Sequence, residues 1–316
     1  MLPRRRAAVP TTAPTSGPEL SLSVGVSADA VDSLRSLLPP WADAFRRDLP
    51  WRRTRDPWAV VVSEVMLQQT QVARVIPRWE AFLERFPTVA ACAFVPQSEV
   101  VRMWEGLGYH RRAANLHRMA VTVVNSHDGS FPRSLGELMK LPGIGPYTAR
   151  ALLAFAFEDD AAVVDTNVGR ILARAVTGRP CSRVEAQSVA DTLSPPGGSW
   201  KWNQGMLDLG AMVCTKRQPN CGACPIAMIC AWRRSGTRAD PAIGTAAVSG
   251  GQSRFEGSDR QGRGRLLAAL RRGSVGRGDL SAAMGWPNDD TRAAVVAASL
   301  VTDGLVRSVG DLLVLA

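Results

Sequence analysis

Lysine, histidine and tyrosine are scarce in this chain of 316 residues, with three, three and two of each against 35 arginines. Long apolar runs are missing as well. No stretch of about 18 uninterrupted apolar residues occurs, which speaks against a transmembrane helix and any membrane partner. The N-terminal MLPRRRAAVPTTAPTSG places basic residues before Pro, Thr and Ser and lacks the apolar stretch of a secretory signal, so residues 1–30 read as a disordered tail. Disulfide chemistry is poorly provided for. Of six cysteines, four crowd between 214 and 230, which fits a metal site in a reducing cytosol better than a secreted disulfide scaffold. Cys92 and Cys181 stand alone as core or surface thiols.

The net charge of +10 is uneven, because the tail carries about +1, residues 241–316 about +2, and residues 31–240 the remaining +7. A basic middle section suits a polyanionic partner. Arginine in place of lysine favours planar, multi-donor phosphate contacts, although a solvated arginine-rich surface has the same composition.

Helical periodicity runs from Val31 to about residue 231. Asp56 and Pro57 mark the start of a helix over 57–72. Others are expected near 98–106, from Arg111, around Leu135–Met139, and over 146–157, 165–176 and 201–213. Residues 235–257 read as a linker, rich in Gly, Ala, Ser and Thr. Beyond it, two helices and a terminal hairpin suggest a small winged-helix-like module over 258–316.

Three features carry chemistry. Cys214, Cys221, Cys224 and Cys230 form C-x6-C-x2-C-x5-C, a soft thiolate set suited to zinc or an iron–sulphur cluster. The single close pair with wide flanks favours [4Fe–4S], and structural disulfides are the alternative. Leu141, Pro142, Gly143, Ile144 and Gly145 link two helical segments. Glycine freedom and the following helix N-terminus there make a seat for phosphate, or simply a tight turn. Glu64 projects from a largely apolar helix face, where desolvation would raise its pKa and make it an acid near neutrality. Asp165 sits at a helix start that favours its charged form. Each has a plainer alternative, a surface glutamate and an ordinary N-cap. Together they could protonate a leaving base and steady an oxocarbenium-like sugar.

Several stretches taken together resemble the adenine DNA glycosylases of the helix-hairpin-helix, endonuclease III-like superfamily. They are LPWRRTRDPWAVVVSEVMLQQTQVARVIPRW, WEGLGYHRRAANLH, LPGIGPYTARALLAFAF, VVDTNVGRILAR, WNQGMLDLGAMVCT and the four cysteines, covering roughly residues 36–231. The resemblance implies an all-α fold of two helical domains with one [4Fe–4S] cluster per chain held by Cys214, Cys221, Cys224 and Cys230. The glycosylase core spans 31–234, with a hairpin domain about 56–160 and a cluster-bearing domain about 31–55 with 161–234.

By the same resemblance, Glu64 protonates adenine at N7 and activates water, Asp165 stabilises the sugar cation, and Asn167 positions catalytic groups. Tyr147 stands where bifunctional relatives place a lysine nucleophile. Trp51 and Arg52 line the adenine pocket. Gln69 and Tyr109 wedge into the duplex, and residues 141–145 anchor its phosphates. The implied activity is monofunctional removal of adenine mispaired with 8-oxoguanine or guanine, by a cytoplasmic, nucleoid-associated monomer acting on double-stranded DNA. An endonuclease III-like lyase acting on oxidised pyrimidines is the runner-up, opposed by Tyr147 in place of lysine. A non-catalytic damage scanner is the alternative of a different class, opposed by Glu64 and Asp165. The family's usual C-terminal nucleotide-hydrolase-like domain has no visible counterpart, and no histidine follows the cysteines.

Overall fold

A computed structural model describes residues 26–245 and 254–316. Most of the expected tail, residues 1–25, and part of the expected linker, residues 246–253, lie outside the described residues. Ser27 caps α1 (Ala28–Phe45) by accepting from the Ala30 amide at 3.3 Å. Asp56 caps α2 (Pro57–Leu67) by accepting from the Trp58 and Ala59 amides, with Pro57 at the first helical position. Nine of the eleven residues of α2 are buried, Glu64 among them, so this helix runs through the interior and has no solvent face.

Around α2 stand α3 (Val72–Arg85), α4 (Val89–Ala93), α5 (Gln97–Met103), α6 (Arg111–Ser126), α7 (Leu135–Leu138) and α8 (Pro146–Phe155). Their apolar side chains form one core around Trp58, Phe82, Trp104 and Leu116. A second core gathers Leu34 and Leu38 of α1 with residues of α9 (Thr166–Ile171), α10 (Arg183–Leu193) and α11 (Ser199–Asp208), and α12 (Ala231–Ser235) follows the cysteine segment. A deep cleft separates the two cores.

The C-terminal module contains α13 (Asp259–Arg272), β1 (Val275–Gly276), α14 (Leu280–Met284), α15 (Asp290–Thr302), β2 (Val306–Val309) and β3 (Leu312–Leu315). Its antiparallel sheet has the order β1-β3-β2, with Val306 opposite Leu315 and Val275 opposite Leu313. The expected hairpin is therefore present and gains a third strand, whose two residues are too short to show an alternation in sequence. Leu266, Leu267, Leu270 and Leu300 join the first core, so the module packs on the helical body as a continuation of its interior. No described helix is long and apolar enough to cross a membrane.

The helix expected over 57–72 is two helices. It breaks at Gln69, whose φ of 57° is left-handed, and α3 begins at Val72. The guanidinium of Arg112 holds the break. Its two terminal nitrogens donate to the carbonyls of Val65, Met66, Gln68, Leu107 and Gly108, at 2.6 to 3.1 Å, and to the Thr70 hydroxyl. One buried side chain thus ties the end of α2 to the loop before α6. Lysine, with one compact ammonium, cannot span both. Arg112→Met is expected to lower stability by about 3 kcal/mol, because it strands buried carbonyls that charged donors had satisfied. Urea denaturation measures this, and a loss below about 1 kcal/mol would show the clasp to be dispensable.

Candidate active site

The cleft between the two cores has a volume of about 1820 Å³ and draws its walls from both. From the first come Trp51, Arg52, Glu64, Gln69, Gly143, Gly145 and Tyr147, and from the second Asp165 and Asn167. Residues as far apart in sequence as Trp51 and Asn167 therefore share one cavity. Tyr109 stands apart from it, on a smaller cavity beyond Gln69. Leu141 and Ile144 are buried in the core, so their side chains cannot face a ligand.

Glu64 is 6% exposed, on the innermost turn of α2. Burial pushes its carboxyl up to about 7, against a hydrogen bond from the Tyr147 hydroxyl, while the nearby Asp165 charge adds to the rise. Tyr147, second residue of α8, is itself driven well above the usual phenol range by burial and by both carboxylates, so it stays a donor. The pair gives a carboxyl group poised at neutrality and aimed by a neutral hydroxyl.

Asp165 caps α9. One carboxylate oxygen accepts from the Asn167 and Val168 amides at 2.8 Å, and the other from the Asn167 side-chain amide at 2.8 Å. Burial nevertheless raises its pKa, so helix-start stabilisation offsets only part of the desolvation. All three bonds favour the anion, and among the described residues Glu64 has no comparable set of amide donors.

Asn167 is held in turn. Its carbonyl accepts from Arg170 at 2.8 Å, and Arg170 also donates to the carbonyls of Gly210 and Cys214, each at 2.6 Å. At Gly210 a Cβ would lie 2.6 Å from the Asn167 Cβ, so only glycine lets α11 and its π-helical extension, Leu209–Val213, approach this closely. Sequence reasoning missed Arg170 and Gly210. The segment VVDTNVGRILAR contains Arg170, but nothing in its spacing shows that the guanidinium points inward.

Arg52 is also fixed from behind. Its guanidinium forks onto Asp208 at 2.7 and 2.9 Å, and Arg47 reaches the same carboxylate at 2.6 Å. Asp208 is fully buried. Burial alone would raise its pKa, yet Arg52 and Arg47 hold it below the usual range. Trp51 packs edge-on against Trp79 at 6.0 Å. Asp208, another missed residue, lies 156 positions from Arg52, and the stretch WNQGMLDLGAMVCT contains it without showing that partner.

In the turn between α7 and α8, Gly143 has φ 79°, and a Cβ there would meet Asn115 at 2.7 Å. Gly145 has an ordinary extended backbone, so the expected special conformation is confined to Gly143. The Ile144 amide is spent on the Leu141 carbonyl at 3.1 Å. Any phosphate seat narrows to the Gly143 and Gly145 amides and the first turn of α8.

The iron–sulphur expectation requires correction. Among the described residues, no group of three or more histidine, cysteine, aspartate or glutamate side chains is arranged to hold a metal ion. The [4Fe–4S] cluster assigned to Cys214, Cys221, Cys224 and Cys230, and the metal-binding character that went with it, are not supported. All four are free thiols that border one small apolar pocket. Arg174 occupies two of them, donating to the Cys214 sulphur at 3.4 Å and accepting from the Cys230 thiol at 3.5 Å. Burial pushes Cys224 up to about 11 and Cys230 in the same direction. The visible work of this segment is structural. Its backbone carbonyls at Cys214, Thr215 and Lys216 receive Arg170 and Arg174.

A buried acid facing an N-cap carboxylate across a cleft, beside a tight helical hairpin, suits excision of a base from DNA. The model of HhH-GPD superfamily base excision DNA repair proteins matches residues 62–189. The adenine DNA glycosylase of Mycolicibacterium smegmatis is 44% identical over 277 residues, covering 86% of this chain and 92% of that protein. That of Mycobacterium tuberculosis is 40% identical over 279 residues, covering 86% and 89%. Among solved structures, a thermostable thymine-DNA glycosylase matches 66% of this chain and 98% of its own at 28% identity and a TM-score of 0.61. A trapped endonuclease III–DNA covalent intermediate matches 65% and 97% at 26% identity and 0.57. The chain belongs to the adenine DNA glycosylases of the HhH-GPD superfamily.

The position of Glu64 has a consequence for stability. A carboxyl raised from about 4.5 in the unfolded chain to about 7 when folded favours folding in its protonated form. Its contribution is complete below about pH 4.5 and is lost as pH rises through 7. Relative to Glu64→Gln, the native protein should therefore lose up to about 3 kcal/mol across that window and be the less stable of the two at pH 8. Denaturation of both proteins across pH 4 to 8 is the measurement, and parallel curves would contradict the raised pKa.

Proposed function

We propose that the protein is a monofunctional DNA glycosylase that flips adenine out of a mispair with 8-oxoguanine or guanine and hydrolyses its N-glycosidic bond. The carrying observation is Glu64, with a pKa of about 7 and a hydrogen bond from Tyr147, in the same cleft as Asp165. The glycosidic bond is inaccessible inside a stacked duplex, and a mispair is cheaper to open than a matched pair.

In the proposed reaction, protonated Glu64 gives its proton to the adenine ring as the bond to the sugar breaks. The bonding electrons leave with the base. Asp165, held by Asn167 as an anion, faces the positive charge that develops on the sugar. The Glu64 carboxylate then takes a proton from the attacking water, which restores the acid. Tyr147 keeps Glu64 aimed throughout, Trp51 and Arg52 border the space for the flipped base, and the 143–147 backbone seats a DNA phosphate. The partner is double-stranded DNA, met by a monomer.

Monofunctional action is supported by the lining of the cleft. A lyase normally needs an amine to form a Schiff base with the sugar. No lysine borders the cleft among the described residues, and Lys140 is exposed and paired with Glu137 at 2.6 Å.

Glu64→Gln is expected to bind mispaired DNA with little change and to lower single-turnover adenine release by a factor of about 1,000 or more, since an amide cannot deliver the proton. Substantial release by that variant would remove Glu64 from its role. The native rate should fall about tenfold for each pH unit above 7, as the acid form is depleted. A flat profile from pH 6 to 9 would oppose the assignment. Borohydride should trap only a faint protein–DNA adduct, and a strong band with strand cleavage before alkali would favour a lyase.

A further inference from the structure

Asp208 stands on α11, out of solvent, with all of its accepting capacity taken. One carboxylate oxygen accepts from Arg47 Nε at 2.6 Å and from a terminal nitrogen of Arg52 at 2.9 Å. The other accepts from the Arg47 amide at 3.1 Å and from the second terminal nitrogen of Arg52 at 2.7 Å. A carboxylate offers about four acceptor positions, so none remains here for substrate or water. Asp208 does not border the catalytic cleft, whereas Arg47 and Arg52 both do. We propose that Asp208 is a positioning residue for adenine excision, holding these two guanidinium groups away from Glu64 and balancing their charge so that neither becomes the ion partner of the acid. This inference rests on the reading of Glu64 as the acid, and it names what keeps that acid from being drawn into a salt bridge.

Competition for carboxylates favours this role. Arg52 is 9% exposed and has no route to bulk water. Among the described residues, the cleft wall itself carries three acids, Glu64, Asp165 and Asp191. Asp165 is occupied by the Asn167 and Val168 amides, and Asp191 by Arg150 at 2.7 Å. Were Asp208 uncharged, Glu64 would be the acceptor left for Arg52. The acid would then lose its proton to an ion pair.

The charges around Glu64 are few enough for one of them to matter. No other residue of α2 is charged. From α8 come Tyr147 and Arg150, the latter paired with Asp191, and from α6 comes Arg112, spent on carbonyls at the end of α2. Asp165 acts from the start of α9, and Arg52 from the segment before α2. Every charged side chain of α3 is exposed. Burial raises the Glu64 carboxyl to about 7, while the Tyr147 hydrogen bond and the Arg52 charge pull the other way. Two guanidinium groups against one carboxylate already leave a positive charge in excess behind the cleft. Without Asp208 both would go unopposed.

Stability alone does not account for the arrangement. A buried group of ion pairs adds little over apolar side chains of similar volume, because desolvation offsets most of the attraction. Its placement beside a carboxyl that must keep a proton gives the charge a chemical purpose.

The test is single-turnover adenine release across about pH 5 to 9 by the full chain and three variants, each checked for a cooperative denaturation transition. Asp208→Asn keeps the shape and removes the charge. Its alkaline limb is expected to move down by about one pH unit, because an uncompensated cation favours the Glu64 carboxylate. Arg47→Gln removes a guanidinium that is partly open to solvent, and its limb should move up by about half a unit. Asp208→Glu retains the charge and should keep the native limb even where the plateau rate falls. Slower release with an unmoved limb in both of the first two variants would mean a packing role and overturn the proposal, as would no change in either. If Asp208→Asn does not fold, Arg47→Gln decides: an upward shift supports the proposal, and an unmoved or lowered limb overturns it. A native profile without an alkaline limb would sink the acid reading of Glu64 and this proposal together, whereas a native limb that neither variant moves sinks this proposal alone.

Discussion

A carboxyl group kept half-protonated at neutral pH must be held out of water, and that requirement organises this molecule. Glu64 achieves it by standing on a helix buried on nearly every side, beside a cleft walled by both cores. Burial of this kind strips the group of solvent but supplies few partners, so the surroundings must orient it without neutralising the effect. A tyrosine does so, because its hydroxyl stays protonated in the same desolvated pocket. A lysine at that position would pair with the carboxylate and pull its pKa down. The identity of residue 147 therefore bears on the acidity of Glu64 as well as on the absence of an amine nucleophile.

Arginine supplies most of the polar framework behind this site. Arg52, Arg112, Arg170 and Arg174 are each at most 9% exposed, and each spends several donors on backbone carbonyls or a buried carboxylate. They act as clasps between segments far apart in sequence, a task that suits a planar fork of five donors and not an ammonium. The scarcity of lysine has an internal meaning here. It also reduces what net charge says about DNA, since part of the +7 in residues 31–240 never reaches the surface.

Local signals were legible and long-range ones were not. Asp56 with Pro57, and Asp165 before Thr166, mark helix starts that the structure places where the pattern puts them, because capping is decided within three residues. The end of α2 was misplaced, because the apolar pattern continues past Leu67 and the clasp that stops the helix comes from Arg112, more than forty residues later. The helices expected over 165–176 and 201–213 each change to a wider π-helical turn part-way, at Leu172 and Leu209, where Arg170 and Gly210 interlock. Asp208 escaped notice for the same reason, since its meaning lies in Arg47 and Arg52. The cysteine spacing was legible as a pattern and misleading as a ligand set, because spacing shows which sulphurs can meet and not that they are arranged around a metal.

The C-terminal module shows how shape and surface can point in different directions. Three helices with a three-stranded sheet form the outline of a winged helix, and such an outline suggests a helix lying in a DNA groove. Yet the middle of the outward face of α15 carries Ala294, Val295, Ala298 and Val301, and Arg260 and Arg271 of α13 turn toward Tyr109 and His110 of the core. His110 illustrates how completely that contact is internalised. Burial and the neighbouring guanidinium groups hold its pKa down to about 4, so it meets Arg271 as a neutral acceptor. The 277-residue match to the mycobacterial relative covers more of the chain than residues 1–257 contain, so it extends into this module. The module is thus fused to the core through shared leucines and through Arg260 and Arg271, which meet Tyr109 and His110.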